Sequence, residues 1–223
     1  DTQENRKISF SHDYLFPRMA LLDPSLLLSL PPTQTAISGM DALSHAIEGY
    51  WSRRATPATD ALALSAARML LDQLPTAQNT PRDLTARRLT MEGSMLAGLT
   101  ISNARTTAVH AVSYPMTVFY GVPHGLACSL ILPSMIRFNS GAMAPEKESR
   151  LLKNLGAKSM GEMAETVERL QSQLELPKRL ADVEIGTGDI SKIVEHGYRP
   201  DRMANNPKVI SAAQLTSMLR EII

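Results

Sequence analysis

Residues 33–51 read TQTAISGMDALSHAIEGYW, and their apolar groups recur at Ile37, Met40, Leu43, Ala46 and Ile47. Steps of three and four residues put those groups on one face, so the stretch predicts a helix over about 34–51. The same helix carries Asp41 and His45. Residues four apart lie one above the other, about 6 Å apart, so a single ion can reach both.

The pattern downstream stays helical. Thr56 is a natural N-cap with Pro57 in the first turn, and that helix is expected to stop at Pro75. A third runs from after Pro81 to about Asn103. The stretch 104–119 is helical in pattern although it contains Pro115, and Tyr120-Gly121-Val122-Pro123 reads as a turn. His124-Gly125 then opens an apolar segment ending near Pro133. Segments 145–156 and 159–175 read as amphipathic helices, 176–209 as looser chain, and 211–222 as a last helix capped by Ser211. From residue 33 on nothing reads as a sheet, so the expected fold class is all-α.

Upstream the character changes. Residues 1–8 are polar, and the next stretch holds Phe10, Tyr14, Leu15, Phe16, Met19 and Leu21 around Pro17. A proline there argues for a strand or extended connector rather than a helix. Asp23-Pro24 makes a turn. The expected division is a linker over 1–28 and a helical domain over 29–223.

Composition narrows the function. At 223 residues the chain can bury a real core, and a net charge of +1 implies no broad polyphosphate-binding face, so nucleic acid is a poor partner. The single cysteine, Cys128, cannot form an internal disulfide, which fits a reducing cytoplasm. It reads as a small buried hydrophobe. No apolar run reaches the ~18–20 residues that span a bilayer.

His110 and His124 stand fourteen residues apart. With Asp41 and His45 they supply one carboxylate and three imidazoles. An isolated helical histidine is ordinarily hydrogen-bonded or solvated, and His12 and His196 are read so. Asp41 alone also reads as a partner of Arg53 or as the cap of a turn. Three histidines with Asp41 in apolar, small-residue segments are better explained by a shared metal, because buried polar groups need partners. An oxygen and nitrogen set without sulfur suits Fe(II) or Zn(II), and leaves room for a substrate oxygen under a Lewis acid.

These residues carry a resemblance. Gly39 to Tyr50, GMDALSHAIEGY, resembles the signature helix of the iron-containing (group III) alcohol dehydrogenases, and His110 through Gly125, ending GVPHG, resembles their second signature. Asp23-Pro24 with Leu30-Pro31, and Asn206-Pro207, are similar to the link into their helical domain and to their closing loop. The likeness extends from about residue 15 to 223. It implies a dehydroquinate-synthase-like helical domain in which Asp41, His45, His110 and His124 bind one divalent metal, usually iron. It also implies NAD(P)-dependent interconversion of a small alcohol and aldehyde by a cytoplasmic homo-oligomer.

Two departures from the family stand out. The family's glycine-rich pyrophosphate loop has no counterpart, since the 12 glycines are scattered. The chain therefore looks truncated, with residues 9–22 as the last strand of an α/β nucleotide-binding domain, and is expected to bind nucleotide poorly by itself. Where many members carry a second histidine four residues after the third ligand, this chain has Tyr114. That phenol should face the same cleft, as a proton donor or as packing. The His-x-x-x-Tyr-Pro pattern is similar to the branch that reduces phosphonoacetaldehyde and related short aldehydes. Glu48 is read mainly as a surface charge, otherwise as a residue orienting a ligand ring. Arg105 is read as exposed, otherwise as meeting an anionic substrate, and Trp51 as packing between helices. Two other readings remain open at this point: a relative of glycerol dehydrogenase or dehydroquinate synthase type, and a non-catalytic metal-binding or oligomerising domain.

Overall fold

The computed structural model describes residues 12–223, and among these no strand occurs. Ten α-helices form the body. The first three, α1 (Pro32–Trp51), α2 (Pro57–Asn79) and α3 (Leu84–Ala104), pack on one another. Next come α4 (Ala108–Tyr120) and α5 (His124–Phe138), packed together, with α5 also lying on α1. Two amphipathic helices follow, α6 (Pro145–Leu155) and α7 (Met160–Gln173), the latter on α5. The last three are short: α8 (Ile190–Gly197), α9 (Pro200–Asn205) and α10 (Ala212–Glu221).

One helix organises the rest. Fourteen of the residues of α1 are buried, among them Met40, Leu43, Ile47, Tyr50 and Trp51. A helix buried nearly all round sits at the centre of a domain rather than on its surface. The polar groups it carries inward, Ser44, Glu48 and the Asp41–His45 pair, therefore lie where water is scarce.

Helix starts follow the sequence closely. Thr56 caps α2 in a capping box with Thr59, and Ser211 caps α10 in another with Gln214. The ends follow it less well. Pro75 does not stop α2, which continues to Asn79, and Pro133 lies inside α5, which continues to Phe138. Each proline forfeits one backbone hydrogen bond. Burial on both sides outweighs that loss: Leu74, Ala77, Leu132 and Met135 are all in the core. The looser segment 176–209 contains α8 and α9, too short to show a periodic signal.

The strand expected over 9–22 is a correction. Residues 9–11 lie outside the described residues. From 12 to 22 the chain forms one 3-10 turn, Asp13–Leu15, and no strand. A strand needs a neighbour to accept its ladder hydrogen bonds, and none of the described residues supplies one. Tyr14, Phe16, Met19, Leu21 and Leu26 are exposed.

Arg87 ties this segment to the bundle. Its buried guanidinium donates to Leu30 O at 2.9 Å, Pro81 O at 3.0 Å and Thr35 Oγ1 at 2.5 Å. No carboxylate is among these partners, and desolvation lowers its pKa. Arg87→Ala is expected to cost about 2–4 kcal/mol, because three charge-assisted hydrogen bonds are lost at once. Urea unfolding checks it, and a change below about 0.5 kcal/mol contradicts it.

Candidate metal centre

Asp41, His45 and Glu48 follow one another down the inward face of α1. α4 brings His110, Ser113 and Tyr114 opposite them. It ends at Gly121, whose φ of 67° is left-handed and closes the helix with hydrogen bonds to Met116 O and Thr117 O. After Val122-Pro123, His124 stands as the first residue of α5. There Gly125 lies directly on α1: a Cβ added to it would meet Ile37 O at 2.2 Å and Asp41 Cβ at 3.0 Å. Only glycine permits this approach, and it holds His124 beside Asp41.

The ligand atoms converge. His110 Nε2 lies 3.3 Å from Asp41 Oδ1, and His124 Nε2 lies 3.8 Å from it. One donor atom each from Asp41, His110, His124 and Cys128 falls within 4.8 Å of all the others. His45 joins through its ring, stacked on that of His110 with centroids 4.3 Å apart and planes 16° apart. Three of the four expected ligands thus form one cluster, with the fourth stacked on it. Asp41 and His124 keep 25% and 27% of their side-chain surface, so the cluster opens to solvent on that side.

A metal fits what the residues leave undone. Asp41 Oδ1 and His110 Nε2 are buried and have no hydrogen-bond partner. In the neutral ring, Glu48 on Nδ1 leaves Nε2 a lone-pair acceptor, so two buried acceptors face each other, which is costly unless a cation satisfies both. At Asp41 and His45 the electrostatics agree. Burial pushes the Asp41 carboxyl up, but the adjoining His110 ring and the charges of His45, His110 and His124 outweigh it and hold the group well below the usual carboxylate range. Burial, then the neighbouring His110, push His45 down to about 4. A carboxylate and a neutral imidazole are the forms a cation needs, so a metal would also displace a proton from His110. Burial pushes that ring down, but the facing Cys128, Glu48 and Asp41 outweigh it and hold His110 well above the usual imidazole range.

Glu48 corrects the surface reading. It is fully buried, and its Oε1 accepts from Thr107 N at 3.0 Å, Val109 N at 2.9 Å and Thr107 Oγ1. Its Oε2 meets His110 Nδ1. Burial raises its pKa, but the His110 charge and hydrogen bond and the Thr107 hydroxyl outweigh it and hold the carboxyl down. The carboxylate caps the start of α4, where the helix dipole favours an anion. It also fixes the His110 proton on Nδ1 and leaves Nε2 facing the cluster. Trp51 extends the network by donating from Nε1 to Thr107 Oγ1 at 3.0 Å.

Sequence reading also passed over Cys128. It is buried, as expected, but its Sγ stands 3.9 Å from His124 Nε2. The signal was there: Cys128 follows His124 by four residues on one helix. Burial pushes this thiol up, so near neutrality it stands beside the cluster uncharged. Tyr114 does face the cleft, half-buried, its ring stacked on that of His124 at 5.4 Å and 21°. Arg105 is exposed at the end of α3.

The pattern of the Fe-containing alcohol dehydrogenase family, C-terminal part, matches residues 35–223. The chain belongs to the Fe-containing alcohol dehydrogenase family. It is 32% identical to the 1-propanol dehydrogenase PduQ of Salmonella typhimurium, over 100% of this chain and 64% of that protein. With the 1,3-propanediol dehydrogenase of Citrobacter freundii it shares 32% identity, over 92% of this chain and 55% of the relative. Among solved structures, sulfoacetaldehyde reductase from Bifidobacterium kashiwanohense in complex with NAD+ superposes with a TM-score of 0.89 at 35% identity. That match covers 94% of this chain and 55% of the reductase. The chain thus spans 55–64% of the length of these relatives. As a family member it has the helical fold of the C-terminal domain, as expected. Among the described residues no helix is long and apolar enough to cross a membrane.

Proposed function

We propose that this chain is the metal-holding part of an NAD(P)-dependent alcohol dehydrogenase that interconverts a small aldehyde and its alcohol. The observation that carries the reading is the convergence of Asp41, His110 and His124 with two buried atoms left unsatisfied. Asp41, His45, His110 and His124 would hold Fe(II) or Zn(II), and a metal so held supplies a Lewis acid for the substrate oxygen. Relatives that act on 1-propanol and 1,3-propanediol support a small substrate. The NAD+ in the sulfoacetaldehyde reductase supports a nicotinamide as the hydride partner.

The chain's own groups have separable tasks in this reading. Glu48 holds the His110 tautomer. Tyr114, stacked against His124, would donate a proton to the substrate oxygen, and a bound nicotinamide would supply the hydride. Residues 29–223 form the metal-binding domain, and 1–28 lead to a nucleotide-binding domain; the exposed apolar groups from Tyr14 to Leu26 support such a junction. The same reading carries a cytoplasmic homo-oligomer, which light scattering on the purified protein would test.

The assay is anaerobic NADH oxidation by propanal with Fe(II)-loaded protein joined to a nucleotide-binding domain, with NADH binding followed in parallel by fluorescence. Turnover should vanish on chelation, and Tyr114→Phe should lower kcat about 10²-fold or more while metal content is kept. Loaded, NADH-binding protein that shows no turnover with any short aldehyde would contradict the proposal.

A further inference from the structure

Arg202 lies on α9, in the segment that read as loose chain. Its guanidinium carbon sits 5.9 Å from the centroid of the Tyr114 ring, which also stacks on the His124 ring. The cation is thus one aromatic ring removed from a candidate metal ligand. Its position is fixed from behind. Asn205 donates from Nδ2 to Ala104 O at 3.0 Å and to Thr106 O at 3.1 Å. Asn206 and Asn139 exchange side-chain amide hydrogen bonds at 2.8 and 3.2 Å. These buried contacts pin α9 against the ends of α3 and α5.

Among the described residues the charge of Arg202 is poorly balanced. Its side chain is only 21% exposed. The carboxylate beside it, Asp201, is 71% exposed and approaches Nε no closer than 3.8 Å, beyond hydrogen-bond distance. A pair so solvated and so long contributes little. The Tyr114 ring face lies at the outer limit of a cation–π contact. A guanidinium largely removed from water needs an anion, and its planar fork suits the paired oxygens of a carboxylate, sulfonate or phosphonate.

We propose that Arg202 is the receptor for a negative charge on the substrate, so that the aldehyde taken here is a short one ending in an oxyanion. The assignment rests on the metal-centre reading above and adds the substrate class to it. One end of the molecule meets the cluster with its oxygen; the other meets Arg202 across Tyr114. The anion-receptor role considered for Arg105 falls to Arg202 instead.

The test loads the full chain with Co(II) and follows its visible absorption during titration with 2-hydroxyethanesulfonate and, separately, with 1-propanol. Wild type, Arg202→Lys and Arg202→Met are compared, with thermal unfolding as the check on folding. In wild type the sulfonate should bind at least about tenfold more tightly than propanol. That ratio should fall to near one in Arg202→Met and be partly kept in Arg202→Lys. A wild-type ratio near one, a ratio untouched by Arg202→Met, or no response to either alcohol overturns the proposal. If Arg202→Met weakens NADH binding and leaves the ratio intact, the cation serves the dinucleotide phosphates, which also overturns it. Failure of wild type to take up Co(II) at all is a different result, and it removes the metal-centre reading first.

Discussion

Glu48→Ala is expected to destabilise the protein by about 3–5 kcal/mol, the usual cost of removing one partner from a buried ionic contact. The carboxylate serves Thr107 N, Val109 N, the Thr107 hydroxyl and His110 Nδ1 together. Alanine leaves all of them in a cavity that holds no replacement acceptor. Glu48→Gln separates the two tasks. Its amide oxygen can still receive the α4 amides, but its NH2 then faces His110 and drives the imidazole proton to Nε2, the atom aimed at the cluster. This variant should fold nearly as wild type does and bind metal about 10–100-fold more weakly. Urea unfolding and chelator competition read the two effects separately. Wild-type metal affinity in Glu48→Gln would show that the carboxylate only caps α4.

Gly125→Ala is the second large expected effect. The added Cβ meets a backbone carbonyl, Ile37 O, at 2.2 Å, and backbone cannot swing aside as a side-chain tip can. α5 must move away from α1 by about 1 Å, at a cost of about 1–3 kcal/mol for overpacking. The site should suffer more than the fold. Asp41 and His124 sit on the two helices forced apart, and displacements of that size spoil a constellation that must be held within about 0.5 Å. Metal affinity should fall by at least about tenfold while helical circular dichroism is retained. Unchanged affinity would mean that the close approach at Gly125 is not what positions His124.

Both variants turn on features that a single sequence shows unequally. The helix of residues 33–51 was legible because its apolar period is strong, and the starts at Thr56 and Ser211 because a capping side chain is a local signal. The convergence of Asp41, His110 and His124 was legible through spacing and resemblance. Glu48 was not, since a glutamate on a helix looks the same whether solvent or the start of another helix covers it. Burial is decided by α4, sixty residues further on. Pro75 and Pro133 misled for a similar reason: local chemistry says stop, and packing on both sides of the proline overrides it. Arg202 escaped notice because α9 spans only Pro200–Asn205 and is held by side-chain amides of Asn205 and Asn206 rather than by its own periodicity.

The proposed site holds one metal between α1, α4 and α5. Anaerobic loading with Fe(II) and with Zn(II), counting bound metal per chain in wild type and His110→Ala, addresses it most directly. Wild type is expected to retain about one equivalent after desalting and the variant none. A full equivalent kept tightly by His110→Ala, or no stoichiometric metal in folded wild type, would contradict it.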